Sequence, residues 1–257
     1  MTELRGKVRF REYGILAKEL LLIGAVHRDP HGAFKLGKLL TQESPVALAV
    51  EVSPYGLFYR QRNSRHLQRL LIRRVKRLAR KLKVPWRDWG QIRAIEIQLA
   101  VPFEYRMAQK YCRDTGAALA CIDSSLWSKD WIDEHWQRLL SSENLEVLLK
   151  CSPVTLAEEV EREYKIAAHL LNKQEHSLVA AFTLDWSADT LCQRRERELA
   201  KALKETYARF QEGRVAYVGG WQHLLFPNTG TTLYERVEHL QPRRILLSTR
   251  EAEGYHG

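Results

Sequence analysis

The chain has 257 residues, 45% hydrophobic and 28% charged, with 14 Gly and 8 Pro, which excludes the disordered and collagen-like classes and leaves room for one large core. Its longest apolar stretch falls far short of the roughly 20 residues of a bilayer-spanning helix, and the start, MTELRGKVRFREYG, mixes charges without an apolar core, so the chain reads as soluble, unexported and cytoplasmic. The formal net charge of +10 is concentrated between Arg60 and Arg93, which enclose 13 Lys and Arg against one acid, Asp88, while the remainder carries −2.

In chain order, the first predicted element is a strand over residues 20–26, LLLIGAV, followed by His27. A short, nearly continuous apolar run of this kind is a buried, parallel-type strand. His31 lies four residues on, but Pro30 argues against a helical His-x-x-x-His metal pair. A helix over 32–40 leads to a second strand, 46–52, in which Glu51 interrupts an otherwise apolar run. A carboxylate there must be paired, hydrogen-bonded or solvent-facing.

The basic segment 60–93 comes next. Leu67, Leu71, Val75, Leu78 and Leu82 recur at the spacing of one helix face, and Arg69, Arg73, Arg74, Lys76, Arg77, Arg80 and Lys81 crowd the other sides. Such a surface can meet nucleic-acid phosphates or an anionic membrane surface. The favoured reading is a solvated outer face held by its leucine stripe.

A helix over 102–113, with Phe103, Met107 and Tyr111 as its stripe, precedes a third strand at 117–122 that ends at Asp123. With Ser124 and Ser125 following, Asp123 reads equally as a helix N-cap. From 124 to 186 the periodicity is helical. Thr155 and Glu158 form a capping box ahead of Val160, Tyr164, Ala167, Ala168 and Leu171, and Trp127, Trp131, Trp136 and Trp186 fall in the same stretch. It is expected to be a cap-like helical subdomain within a single domain. A helix over 188–210 leads to a fourth strand at 214–218, with His223 just beyond it, and a fifth at 244–247. Cys112, Cys121, Cys151 and Cys192 have no Cys-x-x-Cys spacing and read as reduced thiols. The alternation predicts an α/β fold, a mostly parallel central sheet flanked by helices.

Ligands bind such sheets at the carboxyl ends of the strands. His27, Glu51, Asp123 and His223 all fall there. Two of these ends echo each other, Gly24-x-x-His27 and Gly220-x-x-His223, and each glycine is expected to let the chain turn sharply and present an imidazole over the sheet edge. A structural salt bridge at Glu51 and a capping or core role for His27 are the plainer alternatives.

These segments resemble the TraB/GumN/Tiki-like superfamily, which is similar to erythromycin esterases and ChaN-type haem-binding proteins. LLLIGAVH and VALAVEV look like that family's first Gly-x-x-His strand and its glutamate-bearing second strand. PFEYRMAQKYCRDTGAALACID is similar to its helix with an initial glutamate followed by a strand ending in Asp, which points to Glu104 and Asp123. RRERELAKAL resembles its basic-acidic pair, landing on Arg195 and Glu196, and VAYVGGWQHL matches the closing Gly-x-x-His. The chain departs from the pattern at Glu196, Leu199 and Pro102-Phe103, and the C-terminal membrane region of some TraB-like proteins has no counterpart.

The resemblance implies a hydrolase of peptide or ester bonds with Glu51, Glu104, Arg195 and Glu196 as catalytic groups. Two imidazoles and a carboxylate, His27, Glu51 and His223, are also a suitable donor set for a divalent transition metal, Mn, Co or Zn. In that scheme Glu104 or Glu51 takes a proton from water and Arg195 stabilises the oxyanion. In a metal-free variant His27 is the base and Glu51 orients it. The alternative is a non-catalytic protein that binds haem or a peptide in the same pocket through its histidines.

Overall fold

A computed structural model of the chain describes residues 17–87, 89–173, 190–227 and 231–248. Asp88 and Trp186 lie outside them, as does the end of the helical stretch expected to reach 186.

Five strands form one parallel sheet: β1 (Glu19–Ala25), β2 (Ala47–Val50), β3 (Ala118–Cys121), β4 (Arg214–Gly220) and β5 (Arg243–Leu246), in the order β3-β2-β4-β1-β5. All four pairings are parallel. Parallel neighbours need crossover connections, and these are supplied by α1 (Gly32–Glu43), α2 (Pro54–Leu82), α3 (Gly90–Leu99), α4 (Phe103–Thr115), α5 (Ser125–Leu139), α6 (Ser142–Lys150), α7 (Leu156–Lys173), α8 (Thr190–Ala208) and the short α9 (Leu233–Val237). The α/β fold predicted from the alternating pattern is present.

β2 and β4 are buried almost throughout and β1 beyond its first residue, which is why those strands read as unbroken apolar runs. Successive side chains leave a strand on opposite faces. Leu21, Ile23 and Ala25 of β1 accordingly pack with Leu36 of α1, Ala108 of α4 and Val160 of α7 on one side. Leu20 and Leu22 pack with Leu199 and Leu203 of α8 and Val237 of α9 on the other.

A third apolar cluster belongs to helices alone. Leu71, Val75 and Leu78 of α2 meet Ile92 and Ile95 of α3, Ile132 and Trp136 of α5, and Leu145 and Leu149 of α6, with Leu67 and Leu82 partly buried against them. The leucine stripe of the basic helix is thus its packing face. The helical layer begins at α2, ahead of residue 124, while α7 packs onto the sheet. Thr155 and Glu158 exchange backbone-to-side-chain hydrogen bonds at the start of α7, 3.0 and 3.3 Å, as a capping box does. In α4 the deepest line is Glu104, Ala108 and Cys112 beside Phe103, with Met107 and Tyr111 only partly buried. The stripe expected along Phe103, Met107 and Tyr111 is rotated by one residue, because α4 turns its glutamate inward.

Candidate active site

The order β3-β2-β4-β1 places four strand ends side by side, with Asp123, Glu51, the segment Gly219 to His223, and His27 above them in a row. Glu51 directly follows β2 and still donates its backbone N–H to Val218 of β4, at 2.9 Å. Its carboxylate is 3% exposed. Oε1 accepts from Arg195 Nη2 at 2.5 Å and lies 2.9 Å from His223 Nε2. Oε2 accepts from the Tyr217 hydroxyl at 2.9 Å and the Gly220 N–H at 2.7 Å. Burial alone would raise the pKa of Glu51, but the charges of His223 and Arg195 hold it well below the usual carboxylate range.

His223 sits in the 3-10 turn Trp221–Leu224 that continues β4. Its Nδ1 is 2.6 Å from Glu196 Oε1, so the ring is clamped between two buried carboxylates. Burial opposes the charged form, yet Glu196 and Glu51 outweigh it and push the pKa up to about 10. His223 is therefore an imidazolium at neutral pH. Glu196, itself buried, also accepts the backbone N–H of Leu233 at 2.7 Å and so ties α8 to the start of α9.

Arg195 reaches from α8 to close the row. Its guanidinium donates to both oxygens of Asp123 at 2.9 Å as well as to Glu51, and Trp127 lies under it at 4.1 Å. Despite the cost of burial, Asp123 and Glu51 hold its pKa well above the ordinary value. Asp123 is not the helix cap that its serine neighbours suggested: Ser124 caps α5 through Trp127 N, and Asp123 serves Arg195 and the Ser124 N–H. With two carboxylates on it, Arg195 is committed to the protein.

His27 differs from all of these. Its Nδ1 is 2.8 Å from Glu104 Oε1 in the first turn of α4, where a carboxylate is favoured by the helix dipole. Its Nε2 is 3.9 Å from Glu51 Oε2, and the ring is 53% exposed. Burial is outweighed by Glu104, so the His27 pKa is raised above its usual 6.5. The second oxygen of Glu104, Oε2, is buried with no partner among the described residues. The loop under His27 is fixed by Asp29, which accepts from His31 N, Lys35 Nζ and the Tyr164 hydroxyl at 2.8, 2.7 and 3.2 Å, while Tyr164 accepts from Val26 N. His31 stands at the exposed start of α1 and takes no part in the site.

The two Gly-x-x-His glycines have a different reason from the turn anticipated for them. Among the described residues the glycines with positive φ are Gly116 and Gly213, so neither Gly24 nor Gly220 needs glycine for its backbone angles. They serve close approach. A Cβ on Gly24 would meet Trp221 Cα at 3.0 Å, and one on Gly220 would meet His27 Nε2 at 2.9 Å. Gly219 matters as much: a Cβ there would run into Tyr217 Oη and Glu51 Oε2. Tyr217 crosses the bare Gly219 on its way to Glu51.

These groups line a cavity of about 410 Å³, whose walls include Val52, Ile97, Trp127, Trp131 and Ile132, with Arg60 and Gln222 at its polar edge. Of the expected site residues, His27, Glu51, Glu104 and Arg195 line it, and His223 and Glu196 stand behind as buried partners. Tyr217 and Asp29 escaped the sequence reading, and Tyr164 figured there only in an apolar stripe. A tyrosine inside the apolar strand VAYVGG was the available signal for the first, since a buried phenol needs a polar partner.

In this arrangement both imidazoles of the expected donor set sit on carboxylates: His27 Nδ1 on Glu104, and His223 Nε2 on Glu51. Both nitrogens of His223 face carboxylates here, Nε2 on Glu51 and Nδ1 on Glu196. Among the described residues no group of three His, Cys, Asp or Glu is placed to hold a metal ion, and no helix is long and apolar enough to cross a membrane. Comparison with family models, curated proteins and solved structures finds no match to this chain.

Proposed function

We propose that the chain is a hydrolase of ester or peptide bonds in which His27 is the general base and Glu104 its orienting carboxylate. The observation that carries this reading is the contrast between the two histidines. His223 is buried between Glu51 and Glu196, whereas His27 keeps Nδ1 on Glu104 and presents Nε2 to the cavity.

In the reaction a water held at Nε2 attacks the substrate carbonyl carbon as its proton passes to His27. The resulting imidazolium is stabilised by Glu104, and the same proton then leaves with the departing alkoxide or amine. Arg60 lines the cavity without a carboxylate partner among the described residues and is the cation available to the oxyanion. Arg195 is already spent on Asp123 and Glu51. Glu51 then fixes the floor of the site instead of orienting the base, the role given to it in the metal-free scheme. The apolar walls suit a substrate with an aromatic or aliphatic acyl group. The resemblance to TraB-like proteins and erythromycin esterases adds support at His27, the end of its first Gly-x-x-His strand, and at Glu104.

The test is a panel of chromogenic aryl esters and fluorogenic peptides, assayed with protein purified without a metal-binding tag. Wild type is expected to turn over at least one substrate, with kcat/KM rising with pH through a pKa above 6.5, the raised value of His27. His27→Gln and Glu104→Gln should each lose roughly 10²–10⁴ in kcat/KM. Equal turnover by His27→Gln refutes the assignment. Loss of activity with chelator, restored by Mn or Zn, replaces it with the metal-dependent scheme.

A further inference from the structure

Helix α2 runs for 29 residues without an Asp or Glu and carries ten Lys or Arg. Two of them turn inward: Arg60 donates to the backbone oxygen of Gln98 and Arg74 to that of Leu140. The other eight are exposed. Among the described residues only Lys81 of these eight has a carboxylate partner, Glu146 at 3.7 Å.

Six of the exposed cations form one line. Arg62, Arg65, Arg69, Arg73, Lys76 and Arg80 follow each other at steps of three or four residues, a single row about 27 Å long. Like charges four residues apart, as at Arg65 and Arg69 or Lys76 and Arg80, weaken a helix, and no acid on α2 offsets them. A local cost without a local compensation marks a surface kept for another purpose.

The chemistry of the row selects among polyanions. A helix that lies on a membrane gives its apolar face to the lipid. Here that face, Leu71, Val75 and Leu78, is already packed inside the helical cluster. One aromatic ring stands in the row itself. Phe58, 54% exposed, lies one turn before Arg62, whose guanidinium sits over it at 5.0 Å. A line of arginines that ends in an exposed aromatic ring combines the two elements of single-strand recognition, phosphate neutralisation and base stacking.

We propose that the outer face of α2 binds single-stranded nucleic acid, with the row from Arg65 to Arg80 on its phosphates and Phe58 against a base. This site is separate from the cavity and does not depend on the hydrolase reading.

The experiment uses the full chain and a fluorescein-labelled 20-nucleotide single strand, followed by anisotropy from 50 to 200 mM salt. Five phosphate contacts predict a slope of about −3.5 in log K against log salt and a fall of roughly 10² in affinity across that range. Replacing Arg65, Arg69, Arg73, Lys76 and Arg80 by Gln should remove binding at 50 mM and flatten the slope. Replacing the four arginines by Lys should keep the slope. Phe58→Ala should weaken binding by about 5–150-fold. A control that neutralises Lys38, Lys110, Lys129, Lys201 and Lys204 changes net charge equally and should bind nearly as wild type. The proposal is overturned by absence of binding at 50 mM, by an equal loss in the scattered control, or by capture on phosphatidylserine vesicles without capture of the oligonucleotide. If the glutamine variant fails to fold, the lysine and Phe58→Ala variants still decide the question.

Discussion

Glu51→Gln is the sharpest probe of the buried network, because it changes charge and almost nothing in shape. The carboxylate faces four donors, two on each oxygen, at 2.5–2.9 Å. An amide has one acceptor oxygen, so its NH₂ must confront one pair. Turning the NH₂ towards Tyr217 and Gly220 is the better choice, since the tyrosine hydroxyl can rotate and accept, but the Gly220 N–H is then orphaned. Arg195 and His223 meanwhile each lose one of two compensating charges in a site where Glu51 is 3% exposed. Removing one partner of a buried ion pair costs about 3–5 kcal/mol, and a chain of this size loses roughly 2–4 °C in Tm per kcal/mol. Urea unfolding at pH 7 should therefore show a fall of about 3–5 kcal/mol with an unchanged m-value, and Tm should drop by roughly 6–20 °C. The double variant Glu51→Gln/Arg195→Gln should cost less than the sum of the two single changes, because the groups share one network. A loss below about 1 kcal/mol would refute the buried arrangement of charges.

Two further outcomes follow from the same geometry. His223 has a folded-state pKa of about 10 against an ordinary 6.5, so its contribution is fully present below pH 6.5 and is lost as pH rises through 10. Urea unfolding from pH 6 to 10.5 should show a decline that His223→Gln lacks, and a parallel decline in both proteins contradicts the assignment. Gly219→Ala places a methyl group against Tyr217 and Glu51 and should cost at least about 1–3 kcal/mol, the range for overpacking, with a shift in the near-ultraviolet circular dichroism of the buried tyrosine. Stability within about 0.5 kcal/mol of wild type would mean that Tyr217 does not cross that glycine.

Much of the fold was legible because β1, β2 and β4 are buried on both faces and so appear as unbroken apolar runs. His27, Glu51, Asp123 and His223 could be placed at one edge from that pattern alone. What the pattern could not supply was pairing. Nothing in the spacing of His27 and His223 distinguishes a half-exposed ring on one carboxylate from a buried ring between two, because the difference arises from Glu196 on α8 and Glu104 on α4, both far away in the chain. Arg195 and Glu104 came into view only through family resemblance, since an arginine and a glutamate on charged helices look solvated. The glycines were found for the wrong reason: sequence shows that a Cβ is absent, while the structure shows which atom occupies the space.

The strand order also bears on how the chain assembles. β4 lies between β1 and β2, and Glu19 pairs with Arg214 across most of the chain. On a ribosome adding about 5–20 residues per second, β1 and β2 emerge early and wait roughly 10–40 s for the strand that joins them. During that interval both present apolar edges with unpaired backbone groups, the condition that recruits chaperones or promotes aggregation. Closure by β4 is a high-contact-order event, so folding should be slow for a chain so rich in helix. The same closing strand and the turn after it deliver Tyr217, Gly220 and His223 to Glu51, so the acid at the end of β2 acquires these partners only as the sheet is completed.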